Sequence, residues 1–174
     1  MIIRAAQERD LTSILAIYNE AVANTTATYD YEPNTLDHRL NWYQEHLRLK
    51  LPIFVAEELT GQITGWSSLS RYHDRPGFCY TVESSVYVEA NYRGQGIGSR
   101  LVLPLIEAAK SLQLHAIIAA IDATNNVSIQ LHERLDFKKV AYFPQVGFKF
   151  GRWLDLVYLQ LLLQENSPSP PESL

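Results

Sequence analysis

The spacing of apolar residues changes period around residue 90. Val82-Glu83-Ser84-Ser85-Val86-Tyr87-Val88 alternates and is rich in β-branched residues, which predicts a strand. Beyond it Ile97, Leu101, Leu105, Ala108 and Leu112 recur every three or four residues, the period of a helix. The same reading divides the rest of the chain. Ile2 to Ala6 predicts a short strand, and Asp10 an N-cap for a helix with Leu11, Ile14, Leu15, Tyr18 and Val22 on its inner stripe. Residues 24–33 have no helical period and form a loop rich in hydroxyls and aromatics. Asn34 or Thr35 then caps a second helix carrying Leu36, Leu40, Tyr43, Leu47 and Leu51. Residues 52–57 and 63–69 read as a hairpin around Thr60-Gly61, and residues 71–77 as a polar loop. Phe78 to Val88 reads as one strand.

His115 to Ile121 is almost wholly apolar, which suits a parallel strand covered on both faces. A helix follows Asp122, and residues 137–142 and 149–163 supply two final strands. The order β-α-α-β-β-β-α-β-α-β-β predicts an α/β mixed sheet, with antiparallel hairpins first and one parallel βαβ unit after them. Pro104 falls inside a helix, where proline costs about 3 kcal/mol, so a kink is expected.

Length and composition narrow the setting. A chain of 174 residues favours a single domain, here residues 1–164, and the Pro/Ser-rich residues 165–174 are expected to be disordered. The net charge is −4 with no block of lysine or arginine, which argues against a nucleic-acid partner. The single cysteine, Cys79, excludes an internal disulfide and a cysteine-rich metal site; no metal is expected. No apolar run is long enough to span a bilayer, and the polar N-terminus lacks a signal-peptide core. A cytoplasmic protein with no membrane partner is expected.

Candidate chemistry lies where the period changes. Arg93-Gly94-Gln95-Gly96-Ile97-Gly98-Ser99 joins a strand to a helix. Glycines let backbone approach a ligand, and a helix N-terminus offers unpaired N–H groups to an anion. The sequence is either a bare turn or a phosphate site. It lacks the third glycine of a dinucleotide fingerprint and the lysine of a Walker loop. It resembles the pyrophosphate loop of the GNAT acetyltransferases, R/Q-x-x-G-x-G/A, through Arg93, Gly96 and Gly98.

Further blocks sharpen the resemblance. Residues 81–88, residues 125–137 and Gly147-Phe148-Lys149 with Trp153 and Asp155 are similar to the phosphinothricin and methionine sulfoximine acetyltransferase branch. The resemblance spans residues 2–163. It implies the GNAT acyl-CoA N-acyltransferase fold, acetyl-CoA as co-substrate, a small amino-acid-like acceptor and a homodimer. It implies that Val86, Tyr87, Val88, residues 93–99 and Asn125 bind acetyl-CoA. In strand geometry Glu83, Ser85 and Tyr87 share one face. A mid-strand carboxylate is either surface polarity or a site residue; by resemblance Glu83 is the general base, flanked by Ser84 and Ser85. Asn125, Ser128 and His132 form one stripe of a helix, and Val127, Leu131 and Leu135 another, expected to face the core. His132 stands where many GNAT enzymes carry a tyrosine that protonates the leaving thiolate. Arg71, His73, Asp74 and Arg75, with Thr28, Glu32, Glu83, Ser84 and Ser85, are the expected substrate contacts, an arginine holding the α-carboxylate. Phe150, where close relatives often carry histidine, and Asp136, in place of a usual glycine, depart from the pattern. Acetylation of protein N-termini or polyamines, and a non-catalytic acetyl-CoA sensor, are the alternatives.

Overall fold

The computed structural model describes residues 1–163; the tail predicted at 165–174 lies outside them. Seven strands form one sheet: β1 (Ile2–Ala5), β2 (Ile53–Glu57), β3 (Ile63–Arg71), β4 (Thr81–Val88), β5 (Ala116–Asp122), β6 (Lys138–Lys149) and β7 (Arg152–Leu162). Their order across the sheet is β1-β2-β3-β4-β5-β7-β6. β4 and β5 run parallel, and the other neighbouring pairs run antiparallel. The main helices are α1 (Leu11–Asn24), α2 (Leu36–Leu49), α3 (Ile97–Ser111) and α4 (Asn126–Glu133). The predicted order and mixed sheet are therefore present.

The sheet is the middle layer. Leu11, Ile14, Val55, Ile63 and Trp66 bury one face with α1 and α2. Leu69, Val82, Leu105, Ile117, Ile129 and Phe137 bury the other with α3 and α4. The parallel pairing of β4 with β5 is short, joining Thr81–Glu83 to Ala116–Ile118. Beyond Glu83 the strands part, and the β4 edge from Ser84 to Val88 that faces β5 has no partner strand. This opening positions the site.

Several local expectations are corrected. Asp10 does not cap α1 with its side chain. Its carboxylate accepts from Arg4 Nη1 and Nη2 at 2.6 and 2.9 Å and from the Gln7 amide at 2.8 Å. Of the two cap candidates for α2, Thr35 is used, accepting from the His38 amide at 3.2 Å. The inner face of α2 carries Arg39 and His46, whereas Leu36 and Leu47 are exposed. On α4 it is Ile129 and His132 that are buried, and Val127 is 76% exposed, so the expected stripes are rotated.

The strand predicted from Phe78 begins at Thr81, because Pro76–Phe78 forms a short 3-10 turn. Of the final strands, β6 runs on to Lys149, longer than predicted, and β7 begins only at Arg152, shorter than predicted; the two form a hairpin joined at Phe150-Gly151. Both residues have positive φ, 51° and 71°, the requirement of a type I′ turn. Asp136 has φ 67°, which explains why glycine suits that position; aspartate tolerates the left-handed region better than most residues. α3 continues through Pro104, which leaves the Arg100 carbonyl without its intrahelical donor.

Candidate active site

A cleft of about 1070 Å³ occupies the gap between β4 and β5. It is lined by residues 83–88 of β4, the loop and first turn of α3, the end of β5, α4 along most of its length, residues 24–29 and part of β7. The glycines of the loop have distinct duties. Gly94 and Gly96 have φ of 78° and 76°, and a β-carbon at either would meet nothing within 4 Å, so their faces are open to a ligand. Gly96 is the N-cap of α3 and supplies no side-chain cap. The amides that open α3, at Ile97, Gly98 and Ser99, therefore point into a cradle that a pyrophosphate would satisfy. This fits the phosphates of acetyl-CoA, and the free β4 edge at Val86 and Val88 fits a chain of amides beside it.

Arg93 contributes differently from expectation. Its Nη2 is paired with Glu20 at 2.5 Å and its Nε donates to the Val88 carbonyl at 3.0 Å. The guanidinium thus braces the loop against α1 and β4, while the residue still lines the cleft. Gln95 turns back to the Asn91 carbonyl and does not line the cleft. Asn125 caps α4, accepting from the Ser128 amide at 3.1 Å, and lines the cleft.

Glu83 is half-buried in the cleft wall. Among the described residues its side chain has no hydrogen bond and no ion pair, and burial pushes its pKa up. The β3–β4 register puts Ser70, Ser68 and Trp66 opposite Glu83, Ser85 and Tyr87, so all six share the face toward α1 and α2. The predicted shared face is therefore present. Ser84 points the other way and donates to the Ile118 carbonyl at 3.3 Å.

His132 is 2% exposed. Its Nδ1 lies 2.8 Å from the Ser128 carbonyl, and its ring stands edge-on to Phe137 at 5.0 Å. A carbonyl only accepts, so Nδ1 carries the hydrogen. Burial lowers the pKa, which leaves a neutral ring with a bare Nε2 that has no partner. That geometry presents an acceptor rather than a proton donor.

The expected substrate residues separate. Thr28 lines the cleft, 7% exposed, its hydroxyl 2.9 Å from Tyr18 Oη. Glu32, Arg71, His73, Asp74 and Arg75 are exposed and line neither the cleft nor the smaller pocket beside it. Other groups in the cleft escaped sequence reasoning. Tyr29 Oη is buried without a partner, and burial, then the nearby Asp122, raises its pKa. Tyr158 on β7 is likewise shifted up by burial and then by Glu83. Lys149, 2% exposed, donates to the carbonyls of Thr25 and Thr28 at 2.9 and 2.8 Å and so pins the loop over the cleft. The hydroxyl-rich composition of residues 24–33 pointed toward Tyr29; no pattern marks a lysine as buried.

Comparison with known proteins agrees with this geometry. The acetyltransferase (GNAT) domain family matches residues 3–158. An L-methionine sulfoximine/L-methionine sulfone acetyltransferase of Pseudomonas aeruginosa is 45% identical over 168 residues, 97% of this chain and 98% of its own. A Salmonella typhimurium acetyltransferase solved with its cofactor acetyl-CoA superposes with a TM-score of 0.95 at 42% identity, covering 98% of both chains. A phosphinothricin acetyltransferase of Sinorhizobium meliloti, in complex with acetyl-CoA, gives 0.95 at 32% identity, covering 99% of this chain and 94% of its own.

Proposed function

The chain belongs to the GNAT acetyltransferase family, and from that premise we propose that it acetylates the α-amino group of a small amino acid or analogue of the methionine sulfoximine, methionine sulfone or phosphinothricin type. The observation that carries this reading is Glu83, an unpaired, half-buried carboxylate in the same cleft as the open amides of α3. Bound acetyl-CoA supplies the acetyl group as an activated thioester. Glycines 94 and 96 and the first amides of α3 hold its pyrophosphate, and the free edge of β4 aligns the arm that leads to the reacting end.

Glu83 accepts the proton that the acceptor's ammonium must lose before its nitrogen can react. Desolvation raises the carboxylate's affinity for that proton, toward the value that best serves a base near neutral pH. His132 does not serve as the acid, because its neutral Nδ1–H tautomer has only a lone pair to offer at Nε2. It suits a donor on the cofactor arm. Tyr29, whose buried hydroxyl lacks a partner, is the better proton source.

A small acceptor is favoured over peptide N-termini by residues 25–29, which line the cleft and are tied down by Lys149 at Thr25 and Thr28. The homodimer and the cytoplasmic setting are proposed on the same footing. For the dimer, β6 is one of the sheet's two edge strands, and Tyr142, Val146, Phe148 and Trp153 on the β6–β7 hairpin are exposed. Sedimentation of the wild type and Trp153→Glu checks it: a dimer that the charge dissociates is expected, and a wild-type monomer contradicts it.

Thiol release from acetyl-CoA tests the activity with a panel of methionine sulfoximine, methionine sulfone, phosphinothricin, spermidine and a peptide with a free N-terminus. Turnover on the amino-acid analogues and none on the peptide is expected. Turnover on the peptide or spermidine alone would overturn the acceptor class, and acetyl-CoA binding without turnover would make the protein a sensor.

A further inference from the structure

Arg39, on α2, is a buried charge that the chemistry above does not use. It is 3% exposed, and its guanidinium carbon lies 4.5 Å from the ring centre of Tyr18, 4.6 Å from that of Trp42 and 5.4 Å from that of Trp66. Cation–π attraction holds it there but leaves its charge and its donors unspent. Among the described residues its side chain has no ion pair and no hydrogen bond, and Nε is fully buried without an acceptor. A buried cation is ordinarily matched by an anion. The carboxylate nearest in electrostatic effect, Asp30, lines the same pocket but is exposed, forms no ion pair with Arg39 and accepts from Tyr18 Oη at 2.7 Å.

The guanidinium lines a pocket of about 180 Å³ whose walls include the hydroxyls of Ser68 and Ser85. Ser85 and Tyr87 line this pocket and the large cleft alike, so the two adjoin on the β4 face that carries Glu83. The volume suits one small polar group rather than a second ligand. We propose that Arg39, helped by Ser68 and Ser85, is the anchor for an oxyanion of the acceptor, held in this pocket while the acceptor's amine lies toward Glu83. The assignment rests on the proposed function and replaces the exposed arginines 71 and 75 as the anion clamp. Its planar fork fits a carboxylate or phosphinyl group with two parallel N–H donors, which a lysine cannot reproduce. The oxyanion is either the α-carboxylate or a side-chain acid, and matched acceptors separate them.

The test is steady-state kinetics of the wild type, Arg39→Met, Arg39→Lys, Ser85→Ala and Arg75→Ala. The acceptors are methionine sulfone, its decarboxylated amine, norleucine and phosphinothricin. Wild-type turnover on methionine sulfone tests the proposed function first, independently of any variant. Arg39→Met should then raise KM about 10- to 100-fold for acceptors that carry the anchored group, with kcat little changed, because that contact is the same in ground and transition states. The decarboxylated amine should be spared if the α-carboxylate is held. Losses confined to phosphinothricin, with norleucine spared, assign the pocket to the side-chain acid. Arg39→Lys should recover only part of the affinity. Ser85→Ala leaves the ring stack intact and should raise KM for the same acceptors, so the proposal stays testable if Arg39→Met folds poorly. Equal losses on all acceptors, or the selective pattern appearing in Arg75→Ala and not at Arg39 or Ser85, would overturn it.

Discussion

A β-carbon on Gly98 would sit 2.6 Å from Cδ1 of Leu131. The missing side chain of Gly98 therefore serves the contact between α3 and α4, while its backbone still lines the cleft. Gly96, two residues earlier, has open space around it and φ 76°. The two positions should fail differently. Gly98→Val should lower the melting temperature of the protein without ligand, because Leu131 must leave its place. Gly96→Val meets no neighbour; its left-handed backbone costs about 1–2 kcal/mol, and its side chain projects where the pyrophosphate would approach. It should chiefly weaken acetyl-CoA binding, measured by titration calorimetry. Equal affinities for acetyl-CoA in the two variants would contradict the division of labour.

Much of this was legible in the sequence because it rests on period and on glycine. The alternation of residues 82–88 gave the face shared by Glu83, Ser85 and Tyr87, and the loop at 93–99 was visible from composition. The errors share a cause. On α2 and α4 the buried face includes Arg39, His46 and His132, polar residues whose burial is licensed by a carbonyl one turn back on the same helix for each histidine and by the rings of Tyr18, Trp42 and Trp66 for the arginine. A hydropathy pattern assigns such residues to solvent and so rotates the helix. The pairing of Arg93 with Glu20 was not legible, because the two are far apart in sequence. The exposed Arg71–Arg75 loop drew attention as the cations nearest in sequence to β4, while Arg39 lay on a helix with no motif around it.

Lys149 should govern the loop over the cleft. Its ammonium donates to the Thr25 and Thr28 carbonyls, and burial lowers its pKa. Lys149→Met keeps the stem but orphans both acceptors, at a cost of about 1–3 kcal/mol. For a chain of this size each kcal/mol lowers the melting temperature by about 2–4 °C. The acceptor's KM should rise more than that of acetyl-CoA. A variant with unchanged melting temperature and unchanged KM would show that the loop is held by its own hydrogen bonds.

Burial of Glu83 should also be visible in stability. Its folded pKa is raised above the unfolded value, so the folded state binds the proton more tightly. The favourable contribution is fully present below the unfolded pKa of about 4.3 and is lost as pH rises through the folded pKa. At pH 7 the wild type therefore carries an unpaired buried carboxylate that Glu83→Gln lacks. The variant should melt higher at pH 7, with the gain fading toward pH 4. A Glu83→Gln protein that melts lower at pH 7 would indicate a cation or hydrogen-bond donor paired with the carboxylate, for which the geometry gives no sign.

The most direct measurement of the central claim is kcat against pH for the wild type and Glu83→Gln, with methionine sulfone as acceptor. Glutamine keeps the size of glutamate but cannot take a proton. A lost general base should lower kcat about 10²- to 10⁴-fold at pH 7. The deficit should shrink as pH rises, because more of the acceptor's amine is then already neutral. In the wild type, the acid limb should titrate above the ordinary carboxylate range, following the upward shift that burial imposes on Glu83. A Glu83→Gln enzyme with near wild-type kcat at neutral pH would contradict the account.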